Sequence, residues 1–163
     1  MMSEVEEITA EILTKLRLRH QTLSVAESLT GGLLGGAITS IPGASDVFLG
    51  GVVAYTAQMK SELLGINLET IAQHGVVSRE VAMEMAVGVG HLFRSDWSIS
   101  TTGVAGPGPS AGIAAGTVWI AIAAPAKADS PYVESLSLVG SRQEVRLATI
   151  ARALEAFTRI LGE

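Results

Sequence analysis

The sequence predicts an α/β protein, a three-layer α/β/α domain built on a mixed, mostly parallel sheet. Short apolar segments alternate with stretches of helical periodicity along most of the chain, the order that produces a sheet covered on both faces. Hydrophobic residues make up 48% of the chain and aromatic residues only 4%. The core must therefore be built from Ala, Val, Ile and Leu, as in covered sheets. The 163 residues contain no linker, repeat or low-complexity tract, so 1–163 reads as a single domain long enough to bury a core.

Each element has its own signal. Ser3-x-x-Glu6 is a capping box, and Val5, Ile8, Ile12, Leu13 and Leu16 repeat behind it at helical spacing. Leu23–Ala26 is a short buried strand and Gly32–Ile41 a short helix, stopped by Pro42-Gly43. Leu49–Tyr55 is β-branched and apolar, a strand, and Gln58–Leu64 is helical. Leu68–His74 is a short helix or turn. Ser78 is an N-cap for a helix to Phe93, with Val81, Met85, Val89 and Leu92 on one face. Trp97–Thr102 and Thr117–Ala123 are strands, and Tyr132–Val139 alternates as an edge strand does. Ser141-x-x-Glu144 is a second capping box, opening a long helix through Leu147, Ile150, Leu154, Phe157 and Leu161.

Composition excludes several functions. The net charge is −5 with no cluster of Lys or Arg, which argues against a nucleic-acid surface. Cysteine is absent, which removes disulfides, thiol catalysis and thiolate metal sites. His20, His74 and His91 are far apart and fit no metal-ligand spacing, so no metal is expected. The longest apolar run, Gly112–Ala126, is short and interrupted by Gly116 and Pro125, so no membrane association is expected. The stretch Met1–Ile8 is acidic and lacks the form of a signal peptide, so a cytoplasmic protein is expected.

Chemistry concentrates at three predicted strand ends: Ser28–Gly32, Tyr55–Lys60 and Thr102–Gly108. In Val25-Ala26-Glu27-Ser28-Leu29-Thr30-Gly31-Gly32, a strand delivers a hydroxyl onto the start of a helix. Free N–H groups and the helix dipole there suit a phosphate, or the oxyanion formed when a hydroxyl attacks a carbonyl. Ser28 or Thr30 as a plain N-cap is the alternative. Lys60 is the remaining base, because a desolvated lysine loses affinity for its proton. Tyr55, five residues earlier, is placed to bridge it to a serine; an ordinary solvated Lys60 is the competing reading. Arg142 occupies the first turn of the last helix, where a cation opposes the dipole by roughly 0.3–1 kcal/mol. A residue set against local preference is a candidate for anion binding.

Together these segments resemble the CinA C-terminal family, whose enzymatic members are nicotinamide mononucleotide deamidases. The resemblance covers nearly the whole chain. It rests on Val25–Gly32, on Thr39-Ser40-Ile41-Pro42-Gly43-Ala44-Ser45 and on Phe48-Leu49-Gly50-Gly51-Val52-Val53-Ala54-Tyr55. It continues through Leu63-Leu64-Gly65, His74-Gly75-Val76-Val77-Ser78, Thr102-Gly103-Val104-Ala105-Gly106-Pro107 and Gly116-Thr117-Val118-Trp119-Ile120-Ala121. The resemblance implies an amidohydrolase acting on a small nucleotide, with Ser28 as nucleophile, Tyr55 and Lys60 as its activating pair, and no cofactor. It implies a substrate-binding set of Glu27, Thr30, Gly31, Gly32, Thr102, Gly103 and Arg142, the last contacting the phosphate, and a homo-oligomer is expected. This chain departs from the family pattern at Leu29, usually Cys, and at Thr56-Ala57-Gln58-Met59, which lacks the usual Asn. The loop Gly108–Ala115 also lacks the charged residues common there. That last departure motivates the alternative of a nucleotide-binding or regulatory module without turnover.

Overall fold

The computed structural model describes residues 2–163. Helix α1 (Glu4–Leu18) leads into strand β1 (Leu23–Glu27), α2 (Leu33–Thr39), a 3₁₀ turn (Ala44–Asp46), β2 (Phe48–Val53) and α3 (Ala57–Leu64). Helices α4 (Leu68–His74) and α5 (Arg79–Phe93) follow, then β3 (Trp97–Gly103), β4 (Thr117–Ala123), β5 (Tyr132–Ser137) and α6 (Arg142–Gly162). Both capping boxes form. Ser3 N–H donates to the Glu6 carboxylate at 2.6 Å, and Ser141 N–H to the Glu144 carboxylate at 2.6 Å. Ser78 caps α5, its hydroxyl accepting from Val81 N–H at 3.3 Å.

The sheet order is β2-β1-β3-β4-β5. Strand β1 is parallel to both neighbours, whereas β4 is antiparallel to β3 and to β5. Only β4 is reversed, so the sheet is mostly parallel in strand direction, while its pairings divide evenly. Opposite Glu27 stand Val53 on one side and Thr101 on the other, so β1, β2 and β3 end level. Their following loops meet at one edge, the place where open α/β sheets bind ligands.

Helices α1, α2 and α6 cover one face. Ile12, Leu13 and Leu16 of α1 join Val25, Ile99 and Ile120 of the sheet and Leu154 and Phe157 of α6 in the main core. Trp97 meets Phe157 edge-on, with ring centroids 5.5 Å apart. The other face carries α5, with α3 and α4 against it. Small residues line that contact: Ala82 and Ala86 of α5 face Ala121 and Ala123 of β4. The close approach lets Ser98 and Ser100 donate to the carbonyls of Ala86 and Ala82, both at 2.6 Å, so these buried hydroxyls are satisfied.

Several boundaries moved by a residue or two, among them that of β5, which stops at Ser137 rather than Val139. Helix α2 is shorter than Gly32–Ile41, because Gly32 takes a left-handed φ of 103° outside the helix and Ile41 precedes a proline, which disfavours helical geometry. Strand β2 stops at Val53 rather than Tyr55, because Thr56 turns to cap α3, accepting from Met59 N–H at 3.2 Å. Among the described residues no helix is long and apolar enough to cross a membrane.

Candidate active site

A cleft of about 390 Å³ opens at the carboxyl ends of β1, β2 and β3. Ser28 and Leu29 enter it just after β1, Tyr55 just after β2, Ala57 and Lys60 from α3, and Thr102–Ser110 from the end of β3 and the loop that follows it. Val76 and Val77 form a further wall, and Arg142 reaches in from the start of α6.

At the floor, Ser28 is nearly buried and its N–H donates to Thr101 O at 3.0 Å, which ties the residue to the end of β3. Lys60 lies on the first turns of α3 and is only 2% exposed. Its Nζ donates to Ser28 Oγ at 2.8 Å and to Ala54 O at 2.9 Å. No carboxylate pairs with this ammonium among the described residues. Burial without a counter-charge disfavours the protonated form and lowers the Lys60 pKa from 10.5 to about 8. Lys60 is therefore a buried lysine in direct contact with a hydroxyl.

The rim is different in kind. Arg142 donates to Gly106 O at 2.7 Å and to the Tyr55 hydroxyl at 2.9 Å. Tyr55 is 55% exposed. Its hydroxyl faces the guanidinium, so it does not bridge Lys60 to Ser28. The two side chains meet without it.

Four residues expected to bind substrate build the scaffold and are absent from the cleft lining. Side chains alternate along a strand, so Glu27 faces α2 while Ser28 faces the cleft. The Glu27 carboxylate accepts from Leu34 N–H at 2.8 Å and Gly35 N–H at 3.0 Å. The helix start that the sequence offered to an incoming anion is therefore already capped by the chain's own carboxylate. Thr30 is fully buried, its hydroxyl sharing a 2.8 Å bond with that of Thr101. Gly31 and Gly32 supply the left-handed turn, at φ 57° and 103°, and Gly31 N–H donates to Ser28 O at 3.1 Å. Thr102 and Gly103 do line the cleft, although the Thr102 hydroxyl is committed to Val76 O at 2.8 Å.

Sequence reasoning missed Arg146. It donates to Leu29 O at 2.9 Å and Thr30 O at 3.2 Å, against the turn that follows Ser28. The available signal was its spacing, four residues after Arg142 and so on the same helix face.

Fold and cleft define an α/β domain that holds a buried serine–lysine pair at the carboxyl edge of its parallel strands. Residues 5–161 match the family model of the CinA C-terminal domain, and the chain belongs to that family. A CinA-like protein of Prochlorococcus marinus is 43% identical over 152 residues, which cover 93% of this chain and 35% of that protein. A CinA-like protein of Gloeothece citriformis is 43% identical over 148 residues, covering 90% of this chain and 36% of that protein. The chain thus spans about a third of the length of these curated relatives. Solved structures match it end to end. The competence/damage inducible protein CihA of Agrobacterium tumefaciens is 36% identical with a TM-score of 0.92, covering 100% of this chain and 98% of that one. The competence damage-inducible protein A of Klebsiella pneumoniae is 30% identical with a TM-score of 0.94, covering 99% of each chain.

Proposed function

We propose that the cleft hydrolyses the carboxamide of nicotinamide mononucleotide, giving nicotinate mononucleotide and ammonia. The observation that carries this reading is the 2.8 Å contact between Lys60 Nζ and Ser28 Oγ on a buried floor. With a pKa of about 8, roughly one-tenth of Lys60 is neutral at pH 7. In that form one N–H stays on Ala54 O and the lone pair accepts the Ser28 proton. Ser28 Oγ then attacks the carboxamide carbon.

The oxyanion takes the N–H of Leu29, which lines the cleft and has no hydrogen-bond partner among the described residues. Gly31 N–H is not available, being held by Ser28 O. The Lys60 ammonium returns its proton to the amide nitrogen, the C–N bond breaks, and ammonia leaves an ester on Ser28. Water, deprotonated by Lys60, attacks the ester and releases the carboxylate product as Ser28 recovers its proton. Tyr55 and Arg142 serve the other end of the substrate, with Arg142 donating to the phosphate and Tyr55 orienting it.

The uncharged wall Gly108–Ser110 favours a second reading, a nucleotide-binding or regulatory module of the same family. Ammonia release from nicotinamide mononucleotide, its riboside and free nicotinamide separates the two. Turnover of the mononucleotide in preference to the riboside supports the enzymatic reading with phosphate recognition. Tight binding without ammonia supports the module.

A further inference from the structure

The floor of the cleft gathers more hydrogen-bond donors than acceptors. A protonated lysine carries three N–H groups. For Lys60 one is on Ser28 Oγ and one on Ala54 O, and the third has no acceptor among the described residues. With Ser28 Oγ accepting from Lys60, the Ser28 hydroxyl hydrogen is unengaged as well. Both side chains line the cleft, although Lys60 is 2% exposed and Ser28 6%. A buried charge without a counter-charge is costly, and buried donors rarely stay unpaired.

No side chain around the pair supplies the opposite charge. Lys60 and Arg142 are the only charged residues lining the cleft among the described residues. Glu27, next to Ser28, gives its carboxylate to Leu34 and Gly35 N–H. On α3 itself, Glu62 is exposed and accepts from Gln58. On α5, which packs against α3, Glu84 accepts from Asn67 N–H and the Thr70 hydroxyl. Glu80 of the same helix stands 3.6 Å from His74, and Arg79 and His91 are exposed. At the rim, Tyr55 and Arg142 face each other. Neutralising Lys60 is left to a ligand.

The proposed hydrolysis ends in such a pair. Water splits the ester on Ser28 into a hydroxyl and a carboxylic acid, and the acid's proton passes to Lys60, the base beside it. One carboxylate and one ammonium result, with the Ser28 hydroxyl as a further donor. The amide substrate brings no charge, and its NH2 is itself a donor, so it gains little from the ammonium. Arg142 treats the two alike, because they carry the same phosphate.

We infer that the floor is a carboxylate site, in which protonated Lys60 and the Ser28 hydroxyl hold the acid product and make it a competitor of the amide. The identity of the acid rests on the proposed reaction; the site does not. Neutral Lys60 serves attack on the amide, and protonated Lys60 retains the acid. With the Lys60 pKa near 8, the acid-retaining form predominates below that pH. A carboxylate bound to this form alone raises the lysine pKa in the complex. Acid affinity is therefore complete well below pH 8 and is lost as pH rises through it, by about tenfold per unit.

The test is a calorimetric titration of wild type with nicotinate mononucleotide from pH 7 to 9.5, in two buffers of different ionisation heat at each pH. The phosphate, with a pKa of about 6, stays ionised throughout. Affinity should be about 30-fold weaker at pH 9.5 than at pH 7, with proton uptake rising toward one per ligand. Lys60→Met should lower acid affinity at pH 7 by about 10- to 100-fold and abolish the pH dependence. Tyr55→Phe should keep the midpoint, and nicotinamide mononucleotide titrated into Ser28→Ala should show no such fall.

Acid affinity that is constant from pH 7 to 9.5 without proton uptake overturns the inference, as does no binding at millimolar acid. So does a folded Lys60→Met that binds the acid as wild type does; if it fails to fold, proton uptake by wild type decides. Binding with the expected pH dependence but no ammonia release from the amide overturns the proposed reaction and leaves the carboxylate site standing. Ammonia release with pH-independent acid binding does the reverse.

Discussion

The floor and the rim of the cleft use the same kind of group, a cation beside a hydroxyl, to opposite ends. Lys60 and Ser28 are both buried, and desolvation brings the lysine pKa to about 8. Arg142 and Tyr55 are both exposed, and the guanidinium offers a planar fork of donors suited to a phosphate. The floor is thereby suited to moving a proton and the rim to holding a charge. Burial, more than residue type, divides the labour. It also explains why lysine stands at the floor and arginine at the rim, since only lysine can be tuned by taking it out of water.

Substitutions at the floor should produce the largest effects and act on kcat. Ser28→Ala removes the attacking oxygen, and Lys60→Arg replaces the base with a group that cannot lose its proton. Each should cut ammonia release by ~10³-fold or more, with nucleotide binding retained in a calorimetric titration of Ser28→Ala. Near wild-type turnover in Lys60→Arg would reduce Lys60 to a charge partner.

At the rim, Arg142→Ala should act on affinity. Loss of a charge-assisted contact costs about 1.5–3 kcal/mol, or roughly 10- to 100-fold in binding, and the riboside should be nearly indifferent to it. Equal losses for mononucleotide and riboside would contradict a phosphate role.

Tyr55→Phe should do less, about 2- to 10-fold, in line with the 0.5–1.5 kcal/mol of one hydrogen bond. Because its hydroxyl meets Arg142 and not the serine–lysine pair, the change should fall on KM. A pure kcat defect would place Tyr55 back with the floor.

The smallest functional effect belongs to Glu27→Gln. The carboxylate caps α2, so the variant should lose about 1 kcal/mol of stability in denaturant unfolding, with kcat within about twofold of wild type.

The architecture was readable in the sequence wherever the signal was local. Ser3, Ser78 and Ser141 announced their helices, and β4 ran from Thr117 to Ala123 as its apolar run indicated. The proposed roles of Ser28 and Lys60 came from the family resemblance, and Lys60 also came forward because the chain has no Cys and no His placed to act as a base. What stayed hidden depended on contacts distant in sequence. Glu27 reads as one more member of a glycine-rich motif until strand alternation turns it toward α2. The five-residue spacing of Tyr55 and Lys60 suggests cooperation, yet Arg142, 87 residues from Tyr55, takes its hydroxyl. Arg146 bonds a carbonyl 117 residues away, and no local pattern announces that. The 3₁₀ turn at Ala44–Asp46 was also missed, hidden behind the Pro42-Gly43 stop.

The central claim is that Lys60, its pKa lowered by burial, takes the proton of Ser28 when it is in its neutral form. The most direct test is the pH dependence of kcat/KM for ammonia release, which reports groups of the free enzyme. A base must lose its proton to act, so activity should be low well below the Lys60 pKa and climb as pH rises through it. The account predicts a tenfold gain per pH unit below a midpoint near 8, followed by a plateau. A profile that is flat from pH 6 to 9, or that falls as pH rises through 8, would contradict it.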